Sequence, residues 1–277
     1  MTIAGSSLAR LEAAFSAVGL DPDYGGAHSN GITHMSLLGF DDGSYLELIS
    51  SMEAGQKDPV FWAEHIAGDG GPCAWAVYVE DIKAEAARIS GLGVKVDGPH
   101  YKNRSRPDGQ LVEWDLAFLG DKGAGATLPF IIKDITPREL RVRPSASVAG
   151  MTSRPAILTG VEAVILGVEH LSAALELFRH VYDWSSPQIE ADPDFGARLA
   201  FFGSTPVIVA TPLADHSWLK DRLGRFGESP CGFLLGTNNF DSACRQFALP
   251  QRTEWFGRPV AWFDSNKLDG IRLGVMG

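Results

Sequence analysis

This chain spells out nearly the same pattern twice, and that repetition limits its fold more than any other feature. From Pro72 it reads PCAWAVYVEDIKAEA, and from Pro230 it reads PCGFLLGTNNFDSAC. Pro and Cys recur, then an apolar run, a short polar turn and a helical pattern in which Ile82 matches Phe240 and Ala86 matches Cys244. The opening MTIAGSSLARLEAAF has its echo in VILGVEHLSAALELF from Val164, with Leu8 opposite Leu171 and Phe15 opposite Phe178. Two echoes at similar spacing mean one duplicated half, with two strand–helix–strands units inside each half. The chain is therefore expected to be built from four small modules, with any site lying where modules face each other.

Local signals fill in the modules. In module one, Ser6 and Ser7 are candidate helix N-caps, Leu8, Leu11, Phe15 and Val18 recur at helical spacing, and Gly19 can stop the helix. The apolar runs His34–Phe40 and Tyr45–Ile49, joined by Asp41-Asp42-Gly43, read as a hairpin. Module two begins with a strand from Cys73 to Val79, then a helix on Ile82, Ala86 and Ile89. A strand near Val94–Val96 follows, then a basic loop Tyr101–Gly109 and strands over Leu111–Leu119 and Leu128–Lys133. Gly123-Ala124-Gly125 reads as a flexible turn. Module three spans Val161 to about Pro212, with a hairpin of Arg198–Phe202 and Pro206–Ala210. Module four spans Cys231–Gly277. The predicted architecture is α+β: four βαβββ-type modules in two tandem halves, with paired modules forming half-open sheets around a cavity. The expected divisions are 1–133, a connection at 134–159 rich in Pro, Ser and Arg, and 160–277.

The formal charge of −10 over 277 residues argues against nucleic acid, which requires clustered Lys and Arg. The densest basic stretch, Arg138, Arg141 and Arg143, reads as part of a solvated linker. No apolar run approaches the length of about 18 residues that spans a membrane. No charged–apolar–small leader opens the chain, so neither a span nor a secretion signal is expected. Cys73, Cys231 and Cys244 form no CxxC pair and read as buried thiols in a reducing cytoplasm.

Glu47 sits between leucines in the alternating run Tyr-Leu-Glu-Leu-Ile. Period 2 places Tyr45, Glu47 and Ile49 on one face, which is either the cavity side or the solvent side. A carboxylate buried there needs a partner. His34 is on the facing hairpin strand, and whether it shares that face depends on the turn register. His28, in the glycine-rich loop, is either a third ligand or a plain loop histidine. Arg104 and Arg106 precede the turn Pro107-Asp108-Gly109. In a pocket an arginine would clamp a carboxylate or enolate. The alternative is a salt bridge with Asp108 or Glu113. Trp75, Trp114 and Phe130 are either pocket wall or ordinary core. GxSxG, GKS/GKT and HExxH are absent.

Two stretches, Gly39-Phe40-Asp41-Asp42-Gly43-Ser44-Tyr45-Leu46-Glu47-Leu48-Ile49 and Arg104-Ser105-Arg106-Pro107-Asp108-Gly109, together with Trp114 and Leu128-Pro129-Phe130, resemble the glyoxalase-like domain family. That family belongs to the vicinal oxygen chelate superfamily of glyoxalases, extradiol dioxygenases and bleomycin-resistance proteins. The resemblance is clearest over residues 1–133. It implies a divalent metal held by a first-strand His and a last-strand Glu, polarising neighbouring substrate oxygens. Such ligands suit Fe, Mn, Ni or Zn. Glu47 stands at the last-strand position of module one, but the first-strand His would fall just before Met1. The corresponding places elsewhere are Ala163, Ala74 and Gly232, so the second half reads as metal-free.

The leading expectation is thus a cytoplasmic small-molecule enzyme that polarises vicinal oxygens or an enolisable carbonyl. Glu47 would be metal ligand or general base, His34 second ligand or acid/base, and Arg106 an anion clamp. Arg104, Trp75, Trp114 and Phe130 would contact substrate. The alternative is a metal-independent protein of the same fold that sequesters a small molecule. A third reading is a non-catalytic half that assembles with a partner chain. A monomer or homodimer that binds a small-molecule ligand, without nucleic acid or membrane, fits the first two.

Overall fold

The computed structural model describes residues 1–53, 61–150 and 155–277. Module one consists of β1 (Thr2–Ala4), α1 (Leu8–Ser16), β2 (Asp23–Ala27), β3 (Thr33–Gly39) and β4 (Tyr45–Ser51). A short helix, α2 (Ala63–Ala67), leads into module two. That module comprises β5 (Gly71–Ala74), β6 (Ala76–Tyr78), α3 (Ile82–Gly91), β7 (Val96–Ser105), β8 (Leu111–Leu119) and β9 (Phe130–Asp134). After α4 (Arg138–Arg141), module three comprises β10 (Gly160–Gly167), α5 (Leu171–Tyr182), β11 (Gln188–Asp192), β12 (Ala197–Phe201) and β13 (Val207–Pro212). Next come α6 (Trp218–Phe226) and module four: β14 (Ser229–Gly236), α7 (Phe240–Gln246), β15 (Gln251–Trp255), β16 (Arg258–Trp262) and β17 (Leu273–Met276).

Every module has the same topology. A first strand feeds a helix, three antiparallel strands follow, and the last of them returns beside the first in parallel. The parallel pairs are Ile3 with Leu48, Val77 with Ile131, Ile165 with Ile208 and Leu234 with Gly274. The crossover helix makes this parallel return feasible. Ser7 caps α1 by accepting from the Arg10 amide, as its sequence suggested. Asp81 does the same for α3, at Lys83 and Ala84.

The halves differ where their modules join. In the second half β14 runs unbroken and fuses two modules into one eight-stranded sheet. In the first half the single strand expected over Cys73–Val79 is broken at Trp75. β5 pairs with β1, whereas β6 pairs with β9, which gives a five-stranded and a four-stranded sheet. The turn at Gly123–Gly125 causes the break. The Trp75 amide donates to the Gly125 carbonyl instead of continuing a ladder. Gly125 has φ +67°, and a Cβ there would come within 2.7 Å of the Trp75 carbonyl, so only glycine fits.

Helices cover the outer faces, and one cluster of buried apolar side chains, including Phe15, Ile89, Phe178 and Phe233, runs through both halves. The inner faces have different fates. In the second half Phe195, Trp255 and Trp262 fill the hollow, with ring centroids 5.0 to 5.4 Å apart. Among the described residues, these large aromatics occupy the position where the second cavity is expected. In the first half the inner face stays open.

Two local expectations are corrected. The passage expected as a loop from Tyr101 is strand as far as Ser105, since β7 pairs with β8 along its length, Arg104 opposite Val112. Arg141 is not in a solvated linker: it is buried at 7% exposure. The 134–159 connection packs against module one at this point, and its residues 151–154 lie outside the described residues.

Candidate functional site

The open hollow of the first half is a cavity of about 170 Å³. That exceeds the roughly 150 Å³ pocket known to take up benzene. Met35, Leu37 and Ile49 form one wall from β3 and β4, and Leu116, Phe130 and Ile132 form the other from β8 and β9. Phe61 and Trp62 border it near α2, where the Trp62 indole donates to the Ala124 carbonyl at 2.8 Å. Polar groups converge on this apolar surround from three directions.

Glu47 is on β4 and faces inward, its side chain 14% exposed. Register explains its direction. Glu47 pairs with Leu37, so on β3 the odd residues Thr33, Met35 and Leu37 share its face. Its partner is His28, just beyond β2, whose Nε2 lies 3.2 Å from Glu47 Oε1. The other ring nitrogen, Nδ1, is 2.9 Å from the Thr33 hydroxyl. Thr33 closes the loop as well, its carbonyl accepting from the His28 amide. Asn30 fixes the same turn by accepting from the amides of Ile32 and Thr33. Burial pushes the Glu47 carboxyl up, but the hydrogen bond and charge of His28, with help from Arg104, hold it below its ordinary range. Glu47 is therefore ionised at neutral pH.

Arg104 is on β7 and is 4% exposed. Its guanidinium donates to the carbonyls of Gly25 at 2.6 Å and Arg141 at 2.7 Å. Among the described residues no carboxylate stands within ion-pair distance of it. Burial lowers its pKa, only partly offset by the charge of Glu47. The close approach of β2 to this strand explains Gly26, which has φ +105° and where a Cβ would meet the Ser105 carbonyl at 3.1 Å. Lys102, two residues before Arg104 on β7, also lines the cavity.

Arg141 completes the floor. Asp134 holds it through two contacts, the second at 3.2 Å. It donates to the Tyr45 hydroxyl at 2.9 Å and lies 5.3 Å from the Tyr45 ring and 5.7 Å from that of Trp114. Burial works against its charge, but Tyr45 and Asp134 more than compensate and raise its pKa.

The structure thus gathers Glu47, Arg104, Trp114 and Phe130 around one hollow. It places three other sequence candidates elsewhere. His34, on β3, pairs with Ser50 of β4, so parity turns it to the face opposite Glu47. There it meets Tyr24 edge-on at 6.1 Å, and burial lowers its pKa. The expected His34–Glu47 ligand pair does not form. Arg106 donates to the Leu140 carbonyl at 2.6 Å and pairs with Asp108 at 3.1 Å, which is the salt-bridge alternative and not a pocket clamp. Trp75 is core: it is 1% exposed, bonded to the Thr127 carbonyl and 6.4 Å from Phe178. Sequence reasoning missed Arg141, Lys102 and the role of His28. For Lys102 the two-residue spacing from Arg104 was an available signal.

Whether these groups suit a divalent metal follows from the donor set. Glu47 and His28 supply two donors, and among the described residues no group of three or more His, Cys, Asp or Glu side chains is placed to hold an ion. Catalytic sites of this kind ordinarily draw about three protein ligands. Arg104 and Arg141 line the same hollow and would repel a cation. The residues present do not fit a divalent ion.

Comparison with known proteins agrees with this fold. A model of the glyoxalase-like domain family matches residues 1–181. The chain belongs to that family. A hypothetical protein from Staphylococcus aureus superposes with a TM-score of 0.61 at 13% identity, over 99% of this chain and 98% of that one, a likeness of fold alone. Methylmalonyl-CoA epimerase from Mycobacterium tuberculosis covers 43% of this chain and 88% of its own, at 16% identity and a TM-score of 0.38. A Streptomyces coelicolor methylmalonyl-CoA epimerase variant in complex with 2-nitronate-propionyl-CoA covers 43% and 96%, at 18% identity and a TM-score of 0.37. No match was found among curated proteins. No helix among the described residues is long and apolar enough to cross a membrane. At the level of family, the chain is a small-molecule enzyme or binder.

Proposed function

We propose that the first-half cavity binds a small anionic carbonyl compound and that Glu47 removes a proton from the carbon beside its carbonyl. The observation that carries this reading is the His28–Glu47 contact inside an apolar hollow that also contains Arg104. Ionised Glu47 is a general base; its lowered pKa makes it a weak one, always deprotonated at neutral pH. His28 fixes the carboxylate and, through Thr33, is itself fixed. Arg104 supplies positive charge where an enolate would develop, in a site with little water to screen it. Aromatic walls from Trp114 and Phe130 accept the apolar part of the ligand. No step in this scheme passes through the Fe, Mn, Ni or Zn that the resemblance implied.

The experiment is exchange of the acidic C–H of 2-oxo and 3-oxo carboxylates with D₂O, followed by proton NMR in the presence of chelator. Exchange faster than in buffer and insensitive to chelator supports the reading. Exchange that requires added Fe, Mn, Ni or Zn would restore the metal-dependent one.

Binding without turnover is the second reading. The observation favouring it is that both terminal nitrogens of Arg104 already donate to main-chain carbonyls. Quenching of tryptophan fluorescence by a ligand that never exchanges would select it. We also propose that residues 1–133 and 160–277 are the working halves, with 134–159 lending Arg141 to the site. We further propose a cytoplasmic monomer or homodimer; the three buried free thiols support the cytoplasmic location alone.

A further inference from the structure

A second cavity, of about 200 Å³, lies where the halves meet. It is bordered by the Asp69–Pro72 segment, by α6 and by the Asp269–Arg272 segment. Three arginines line it: Arg222 and Arg225 from α6, and Arg272 just before β17. Among the described residues none of the three has a carboxylate within ion-pair distance. They rest on aromatic rings instead. Arg272 stacks 3.8 Å from the Trp218 ring, and Phe226 carries Arg222 at 5.2 Å and Arg225 at 4.8 Å.

Each guanidinium stands differently. Arg222 spends its terminal nitrogens on the carbonyls of Gly70, Pro72 and Pro230, so it ties the two halves together. Its Nε is buried and meets no acceptor among the described residues. Arg225 is exposed and donates to the Gly68 carbonyl at 3.1 Å. Arg272 is half-buried, and burial lowers its pKa. The opposing charges are largely engaged elsewhere. Asp69 accepts from the Ser6 amide and hydroxyl, and it shares Arg10 with Asp269. Asp221 stands in the first turn of α6 and pairs with none of the three arginines. The lining therefore has three arginines and three carboxylates, but two of the carboxylates, Asp69 and Asp269, are already paired with Arg10, which leaves the arginines as the uncompensated charges beside Asp221.

We propose that this junction cavity is a second binding site, for a small oxyanion of the phosphate type. Guanidinium groups converging from two elements match the several acceptor oxygens of such an ion. The volume leaves room for an ester substituent on it. A bound anion would hold α6 against the Asp269–Arg272 segment and so strengthen the junction.

The test is calorimetric titration of inorganic phosphate into the full chain, with ionic strength held constant by chloride. The expected result is saturable binding and a rise in melting temperature with phosphate concentration. Arg225→Gln should weaken binding at least tenfold while the phosphate-free protein stays folded, since Arg225 is exposed and gives up one hydrogen bond, to Gly68. Arg272→Gln should weaken it at least as much, and Lys102→Gln, in the first cavity, should leave it unchanged. No saturable heat beyond the chloride control overturns the proposal. Unaltered binding by Arg225→Gln, or loss only in Lys102→Gln, overturns it too.

Discussion

His28 Nε2 and Glu47 Oε1 stand 3.2 Å apart inside a hollow lined mostly by apolar side chains. The pair fixes a carboxylate that would otherwise be costly to bury. Two separate elements, the turn after β2 and strand β4, deliver these groups to one point.

His28 sets the protonation of Glu47, and substitution should reveal this. In the native protein the acid limb of activity falls below the ordinary carboxylate pKa of 4.5, because the folded Glu47 pKa is lowered. In His28→Leu the hydrogen bond and charge are gone while burial remains. The limb should then move upward in pH. A pH–rate profile checks this, and an unmoved limb would show that His28 does not control Glu47.

Arg141 and Asp134 form a buried pair, each side chain 6% exposed. Removing one partner leaves the other charged and unpaired. Arg141→Gln should therefore cost about 3–5 kcal/mol of stability, measured by urea unfolding. Asp134→Asn should cost a similar amount, and the double variant much less than the sum.

His65 gives the fold an acid weakness. It is 9% exposed, stacks on Phe226 at 4.7 Å, and has its pKa lowered by burial, with Arg222 adding to the effect, to about 4. The unfolded chain takes up a proton near 6.5, but the folded chain does not until about 4. Between those values the unfolded state holds more protons, so stability falls as pH falls. The full loss is about 3 kcal/mol. His65→Gln should flatten this window in a series of urea melts between pH 7 and 4.

Trp75 separates core from site. Trp75→Ala should destabilise the fold by about 3–5 kcal/mol, whereas Trp114→Ala should chiefly weaken ligand binding. Comparable loss of ligand affinity in both variants, with the fold intact, would place Trp75 in the pocket after all.

Much of the architecture could be read from sequence because it is written in repeats and periodicities. Pro72 and Pro230 mark equivalent strands, and the hydrophobic spacing of Leu8, Leu11 and Phe15 marks a buried helix face. The position of Glu47 was legible through alternation along one strand. What alternation cannot give is the register between strands: one residue of shift decides whether His34 or Thr33 faces the cavity. Arg141 was hidden for another reason. Its burial depends on Asp134 and Tyr45, contacts that no local pattern announces. The plugging of the second hollow by Phe195, Trp255 and Trp262 is likewise a matter of packing between distant segments.

The most direct measurement of the central claim is the rate of C–H exchange into D₂O for 2-oxo and 3-oxo carboxylates, native protein against Glu47→Gln, with folding verified by circular dichroism. General-base catalysis contributes about 10²–10⁴-fold, so the account predicts a loss of at least 100-fold in the variant, unaffected by chelator. Equal rates for the two proteins, or exchange no faster than in buffer across the series, would contradict it.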